Sequence, residues 1–163
     1  MKMTKLVKNI GVLALAALMM LTLAACGGGN KEEEKWEQDV TVIMEDITAS
    51  QTAFNTALAN IQPGDEASQT AILDAIATLE GDFAKLKAVE APEKYKDVQA
   101  KFNTAADKAL EGTAAFKEMA NNLGDGGDMT VVSDKLSAGQ TAYEAFLTLW
   151  QEALDDLTAL VTA

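Results

Sequence analysis

Carboxylates are the only abundant side chains in this sequence that could perform catalysis. The 163 residues include 25 Asp and Glu, a single Cys, no His and no Arg. The usual general bases and bidentate anion clamps are therefore missing. Neighbouring acids occur as Glu45-Asp46, as Asp155-Asp156, and as Glu152 one turn before Asp156. Paired carboxylates hydrolyse glycosides only when they face each other across a cleft, which neighbours on one exposed helix face cannot do. The sequence predicts no catalytic residues and a protein that is not an enzyme, with a carboxylate-dependent hydrolase of the cell envelope as the last alternative.

The loop at residues 121–128 is a candidate for metal binding. It combines oxygen donors with glycines, and Asp125 and Asp128 are its two carboxylates. Their order does not fit an EF-hand, which needs donors at alternate positions and a later glutamate. A helix stop followed by a helix cap explains the same residues. A calcium site at Asp125 and Asp128 therefore stays one of two interpretations, and no cofactor is predicted because histidine is missing for zinc, copper or haem.

The N-terminal residues have the order of a secretory signal. Three lysines lie within the first eight residues, residues 10–25 carry no charge, and the small residues Ala24 and Ala25 come last. This apolar run is shorter than the roughly 20 residues that comfortably span a bilayer, and glycines follow it. We predict a cleaved signal peptide over residues 1–25, with a retained transmembrane anchor as the alternative. The lone cysteine, Cys26, excludes an internal disulfide.

The motif Leu23-Ala24-Ala25-Cys26 resembles the lipobox of bacterial lipoproteins, which runs aliphatic, small, small, Cys. The resemblance implies that Cys26 carries a diacylglyceryl thioether with fatty chains such as palmitate and becomes the first residue of the mature protein. Two chains provide stable anchoring, since one chain alone binds only marginally. The resemblance also implies a location on the outer face of the cell membrane. The segment Ala91-Pro92-Glu93-Lys94-Tyr95 is similar to a turn in small helical-bundle lipoproteins of Gram-positive bacteria.

The charge of the mature chain excludes several partners. All 25 acids follow Cys26, whereas three of the 13 lysines precede it, which leaves ten lysines and a side-chain charge of −15. Nucleic acid is excluded as a partner because binding it needs a basic surface. The same charge opposes contact along an anionic membrane surface. The expected partners are the membrane, through the lipid at Cys26, and a protein or envelope component; the oligomeric state is not predicted.

Apolar residues recur at steps of three and four from Trp36 onward, which is typical of amphipathic helices. Pro63-Gly64, Ala91-Pro92 and the glycine-rich loop at 124–128 separate four such stretches. The residues expected to face the core are Trp36, Val40, Ile43, Ile47, Phe54, Leu58 and Ile61; Ile72, Ile76, Leu79, Phe83 and Leu86; Tyr95, Val98, Phe102, Ala105, Ala109, Phe116 and Leu123; and Val132, Leu136, Tyr143, Leu147, Trp150, Leu154, Leu157 and Val161. We predict an all-α fold, an antiparallel up-down-up-down four-helix bundle over residues 36–163, after a flexible tether over residues 26–35.

The apolar stripes become small or polar at three places, Ser50/Gln51, Gly112/Thr113 and Gly139/Gln140. One interpretation is a cavity between helices, in which Gln51, Thr113 and Gln140 bind a small ligand. The other is that small residues allow the helices to approach closely. Two functions follow from the sequence as a whole. The first is an anchored, non-enzymatic module that binds or spaces something outside the membrane, and the alternative is a domain that binds a small molecule or cation for a transporter or sensor.

Overall fold

The computed structural model describes residues 30–124 and 126–162, which form four long α-helices and no strand. These are α1 (Lys31–Ala59), α2 (Glu66–Ala88), α3 (Lys96–Asn121) and α4 (Met129–Thr162), with a 3₁₀ turn at Glu93–Tyr95. The predicted all-α fold of four helices is confirmed. No helix in the described ranges has an apolar stretch of the length that a membrane crossing requires. The predicted signal peptide, the motif Leu23-Ala24-Ala25-Cys26 and Asp125 lie outside the described residues.

Helix α1 begins earlier than the sequence analysis predicted. Residues 31–35 were expected to belong to a flexible tether, but the helix starts at Lys31. The side chain of Asn30 accepts hydrogen bonds from the backbone N–H groups of Glu32 and Glu33, both at 3.0 Å, and so caps the helix. The first turn contains three glutamates, whose charge favours a helix N-terminus. The prediction of a flexible tether is therefore wrong for residues 31–35.

The loops use the residues that the sequence indicated. Gly64 has a φ of 76°, a conformation that glycine adopts without strain. The side chain of Asp65 caps α2 by accepting from the backbone N–H of Ala67 at 3.2 Å. The backbone N–H of Gly64 donates to the carbonyl oxygen of Leu123 at 2.9 Å, so the loop before α2 is hydrogen-bonded to the loop after α3. Two loops at the same end of the molecule therefore support each other.

Most residues of the predicted apolar stripes lie in the core, together with others such as Met119 and Phe146. All nine aromatic side chains are buried, and they contact one another across helices, as Phe83 does with Phe146 at 5.4 Å between ring centroids. Four of the predicted core residues are only partly buried, namely Ile43, Ile61, Leu147 and Val161. The prediction that the aromatics belong to the core is confirmed, because helical spacing places them on the face that the neighbouring helices cover.

Successive helices contact each other in reversed order along the chain. Near the ends of the bundle these contacts are Gln69 with Ala120, Gln99 with Leu86, Lys101 with Asp156, and Lys135 with Glu118. Each of these pairs joins the early part of one helix to the late part of its neighbour. Lys85, near the end of α2, pairs with Asp46 in the middle of α1. The reversal is what an antiparallel up-down-up-down bundle requires, so these contacts support that predicted topology.

Candidate functional site

A surface groove lies beside the first turns of α1, at the end of the bundle where the chain leads back to Cys26. The groove has a volume of about 870 Å³. It is bounded by α1 from Glu32 to Ile43, by the last turn of α2, and by the loop Val89–Pro92. More than half of its lining residues are apolar, and charged residues stand among them. An apolar floor with a few charged groups is the usual composition of a binding surface.

Trp36 lines this groove and is held rigidly by its neighbours. Its ring stacks on that of Tyr95 with centroids 4.3 Å apart and planes 10° apart. Its Nε1 donates to Oε1 of Gln99 at 2.9 Å, and Nε2 of Gln99 donates to the carbonyl oxygen of Leu86 at 2.9 Å. Because every polar atom in this chain of contacts has a partner, Trp36 is fixed in one orientation. The groove therefore has a preformed floor.

Tyr95 is fixed from the other side by a carboxylate. Its hydroxyl donates a short hydrogen bond to Glu37. Burial raises the pKa of the Tyr95 hydroxyl, and the hydrogen bond to Glu37 raises this pKa further. The hydroxyl consequently stays protonated and keeps donating at any physiological pH. Tyr95 follows Ala91-Pro92, so this bond also holds the α2–α3 loop against α1.

Val42 is the exposed apolar side chain of the groove. It is 57% exposed, and within the described ranges the only other exposed large apolar residue is Met129, at 46%. Val42 lies outside the buried stripe of α1, whereas its neighbour Ile43 is partly covered by the core. Beside them Ala91 and Pro92 are partly buried. Apolar side chains that stay accessible next to a preformed groove provide area for a partner to cover.

The two lysines of the groove are both paired with carboxylates of the same chain. Lys35 forms an ion pair with Asp39, and Lys85 lies 2.7 Å from Asp82 and 3.4 Å from Asp46. The hydrogen bond and charge of Asp82, together with Asp46, raise the pKa of Lys85. Both lysines are therefore already paired within the molecule.

Two groove carboxylates are left without such a partner. Glu32 and Glu90 line the groove, and neither forms an ion pair with a residue of the described chain. Glu32 lies in the first turn of α1, and Glu90 lies in the loop after α2. The groove therefore presents net negative charge beside its apolar floor.

The small residues in the middle of the bundle let α3 and α4 approach closely. A Cβ atom on Gly139 would lie only 2.8 Å from the ring of Phe116. A Cβ atom on Gly112 would lie 3.3 Å from the carbonyl oxygen of Gly139. The space beside both glycines is therefore occupied by an aromatic ring and by backbone. This packing favours the second interpretation of these positions over a ligand cavity.

Gln51, Thr113 and Gln140, predicted as ligand-binding residues, have three different environments. Thr113 is fully buried, and its hydroxyl bonds to the carbonyl oxygen of Leu110 at 3.0 Å and to Glu80 at 3.1 Å. Gln140 is partly buried. Gln51 is 1% exposed, and neither its amide oxygen nor its amide nitrogen has a hydrogen-bond partner. No hydrogen bond joins any two of the three residues.

Replacing Gln51 with leucine is expected to raise the free energy of unfolding by about 1–3 kcal/mol, because a buried amide without partners carries an uncompensated desolvation cost. The matched control is Thr113→Val, which removes a hydroxyl that has partners and should lower the free energy of unfolding by about 1 kcal/mol. Urea denaturation followed by circular dichroism measures both. A destabilising Gln51→Leu would contradict this account and would mean that the amide is satisfied in solution.

The predicted calcium residues lie in the loop before α4. Asp128 is exposed, and its carboxylate accepts from the backbone N–H of Thr130 at 2.8 Å, which is a helix cap. Asp125 lies outside the described residues. Nowhere in residues 30–124 and 126–162 do three or more His, Cys, Asp or Glu side chains gather closely enough to hold a metal ion. The cap accounts for Asp128 without a metal.

Compared with known proteins, the chain matches no family model, no curated protein and no solved structure. Because no comparison indicates a function, the groove is the candidate functional site. The sequence analysis did not identify it, although one signal was present. Val42 is an apolar residue outside the helical stripe, and nothing in the first helix explains it. The loop Ala91-Pro92 completes the groove only through the tertiary fold.

Proposed function

We propose that this protein is a lipid-anchored, extracytoplasmic module that docks a protein partner beside the outer face of the cell membrane. The observation that carries this proposal is the preformed groove with the exposed Val42 at the anchored end of the bundle. The lipobox motif supports the anchor, and the reversed contacts between successive helices support an up-down-up-down bundle. The partner is bound by surface contact and is not chemically changed.

Under this proposal the partner would lie close to the lipid. Three residues separate Cys26 from Asn30, and the four residue steps between them reach at most about 14 Å when extended. Val42 lies twelve residues further along α1, or about 18 Å at a rise of 1.5 Å per residue. A partner at Val42 would therefore be held within about 32 Å of the anchoring cysteine, the sum of these two lengths. This distance suits a membrane protein with a segment outside the bilayer.

The pairing of two carboxylates on α2, Asp82 and Glu80, supports a non-enzymatic role. Asp82, whose side chain is 7% exposed, is paired with Lys85 at 2.7 Å. Glu80 is paired with Lys117 at 2.8 Å and accepts from the hydroxyl of Thr113. Each of these two carboxylates already has a partner within the molecule, so neither is directed at a cleft where a substrate could bind. Glu80 therefore links α2 to α3, whereas Asp82 pairs within α2.

A photoreactive phenylalanine analogue placed at position 42 tests this function on intact cells. We expect cross-linking to one dominant membrane-associated protein from position 42, and none above background from position 129, where the other exposed apolar side chain lies at the opposite end of the bundle. The same experiment with Cys26→Ala should release the protein from the membrane and lose the cross-link.

Three outcomes would contradict the proposal. Equal cross-linking from positions 42 and 129 would remove the groove as the docking surface. Absence of any cross-linked protein from position 42 would remove the docking function. Membrane retention of the correctly cleaved Cys26→Ala variant would remove the lipid anchor, because no acyl group could then be attached at that position.

A further inference from the structure

We infer that the groove binds a protein segment that presents apolar side chains flanked by lysine or arginine, an inference that rests on the docking function proposed above. The segment would cover Val42 and the loop Ala91-Pro92, and its cations would pair with Glu32 and Glu90. Charge complementarity identifies this class of partner. The groove combines accessible apolar surface with carboxylates that lack a partner of their own.

The charges of the whole molecule favour a cationic partner. Within the described residues every lysine except Lys31 forms an ion pair with a carboxylate of the same chain. The lysines are thus already neutralised, while the mature chain keeps a side-chain charge of −15 from its 25 acids and ten lysines. An acidic partner would meet repulsion over most of the surface, whereas a basic one would be attracted and steered toward it.

Electrostatic attraction alone would not direct a basic partner to one site on this acidic surface, but the apolar floor of the groove does. Surface ion pairs are weak individually and are screened by salt. Burying an exposed valine and the adjacent loop adds a hydrophobic contribution to the binding free energy, which salt does not screen. The groove runs along about three turns of α1, from Glu32 to Ile43. A partner helix of three to four turns has the matching length.

The test uses two synthetic peptides of 14 residues and the mature chain in phosphatidylcholine nanodiscs, with empty nanodiscs as the blank. Both peptides carry the same helical face of leucine and alanine; the first has lysines on its flanks and the second has glutamates in their place. Binding is measured by fluorescence anisotropy. We expect the lysine peptide to bind at least tenfold more tightly than the glutamate peptide, with an affinity that falls as salt is raised.

Two pairs of variants locate the binding. Val42→Gln should weaken the lysine peptide about tenfold, while Met129→Gln, the matched change at the other exposed apolar residue, should leave it within about twofold. Glu32→Gln with Glu90→Gln should weaken it about fivefold. The control for this pair is Glu34→Gln with Glu144→Gln, which removes the same number of negative charges outside the groove, one of them from the first turn of α1. This control should change affinity by less than about twofold.

Each other outcome would overturn the inference. Equal binding of both peptides, lost in Val42→Gln, would leave an apolar docking groove without preference for a basic partner. Binding of the lysine peptide that neither groove variant weakens would be general attraction to an acidic surface. A dimer that Val42→Gln dissociates would assign the groove to a second copy of the chain. Failure of both peptides to bind would remove the basic apolar segment as the ligand, whereas the cross-link from position 42 decides the docking function separately.

Discussion

Replacing Phe54 with alanine is expected to lower the free energy of unfolding by about 3–5 kcal/mol. Phe54 is fully buried, and its ring lies 5.2 Å from that of Phe116 and 6.4 Å from that of Tyr143, measured between centroids. It therefore connects α1 to both α3 and α4 at the centre of the bundle. Removing the ring leaves a cavity lined by other rings, which cannot collapse to fill it. Loss of stability of this size is a large part of what a domain of this length possesses.

Chemical denaturation monitored by far-ultraviolet circular dichroism measures this effect. Thr52→Ala is the control in the same helix, since Thr52 is exposed and its hydroxyl bonds only within α1. This change should stay within about 0.5 kcal/mol. If Phe54→Ala cost less than about 1 kcal/mol, the packing of α1 on α3 and α4 would be refuted, because a buried ring with those neighbours cannot be removed so cheaply.

Gly139→Ala is expected to lower the free energy of unfolding by about 1–3 kcal/mol. The sign of this change is informative, because replacing glycine with alanine inside a helix normally raises the free energy of unfolding by roughly 1 kcal/mol. Here the new Cβ would lie 2.8 Å from the ring of Phe116, and an aromatic ring cannot yield as the end of a flexible chain can. α3 and α4 would have to separate or the ring would have to leave its rotamer.

Gly81→Ala is the control for this prediction. Gly81 lies in α2, and apart from the neighbouring backbone of α2 itself a Cβ atom added there would have no atom within 4 Å. The same substitution should there raise the free energy of unfolding by about 0.5–1 kcal/mol. Opposite signs at positions 139 and 81, measured in the same urea titrations, would verify that α3 and α4 touch at the glycines. A stabilising Gly139→Ala would show that they do not. Combining Gly139→Ala with Phe116→Leu should recover part of the lost stability, since the shorter side chain makes room.

Helical periodicity was sufficient to predict most of the core. Trp36, Phe83 and Trp150 were expected to be buried because they recur with other apolar residues at steps of three and four, and they are buried. Local signals also predicted where helices stop, at Pro63-Gly64 and near Gly124. The start of α1 was missed although its cap was present in the sequence. The three consecutive glutamates were included in the predicted flexible tether, whereas their charge favours a helix N-terminus that Asn30 caps.

The identities of small and polar core residues were not sufficient to predict their roles. Gly112 and Gly139 had two interpretations, a cavity or close packing, and the position of Phe116 on the facing helix distinguishes them. The sequence likewise could not distinguish the roles of the two polar residues Gln51 and Thr113. Both are buried on their stripes, but Thr113 has partners on its own helix and on α2, while Gln51 has none.

The sequence by itself determined that this chain is helical, where most of its helices begin and end, which faces they bury, and that its surface is strongly acidic. These properties are local, since they depend on spacing along one helix, on capping residues and on composition. Only the tertiary structure decided that Val42 lies beside Ala91-Pro92, that the lysines of the groove are neutralised, and that Glu32 and Glu90 are not. Such properties depend on which side chains meet across helices, and residues far apart in a sequence carry no local sign of their neighbours.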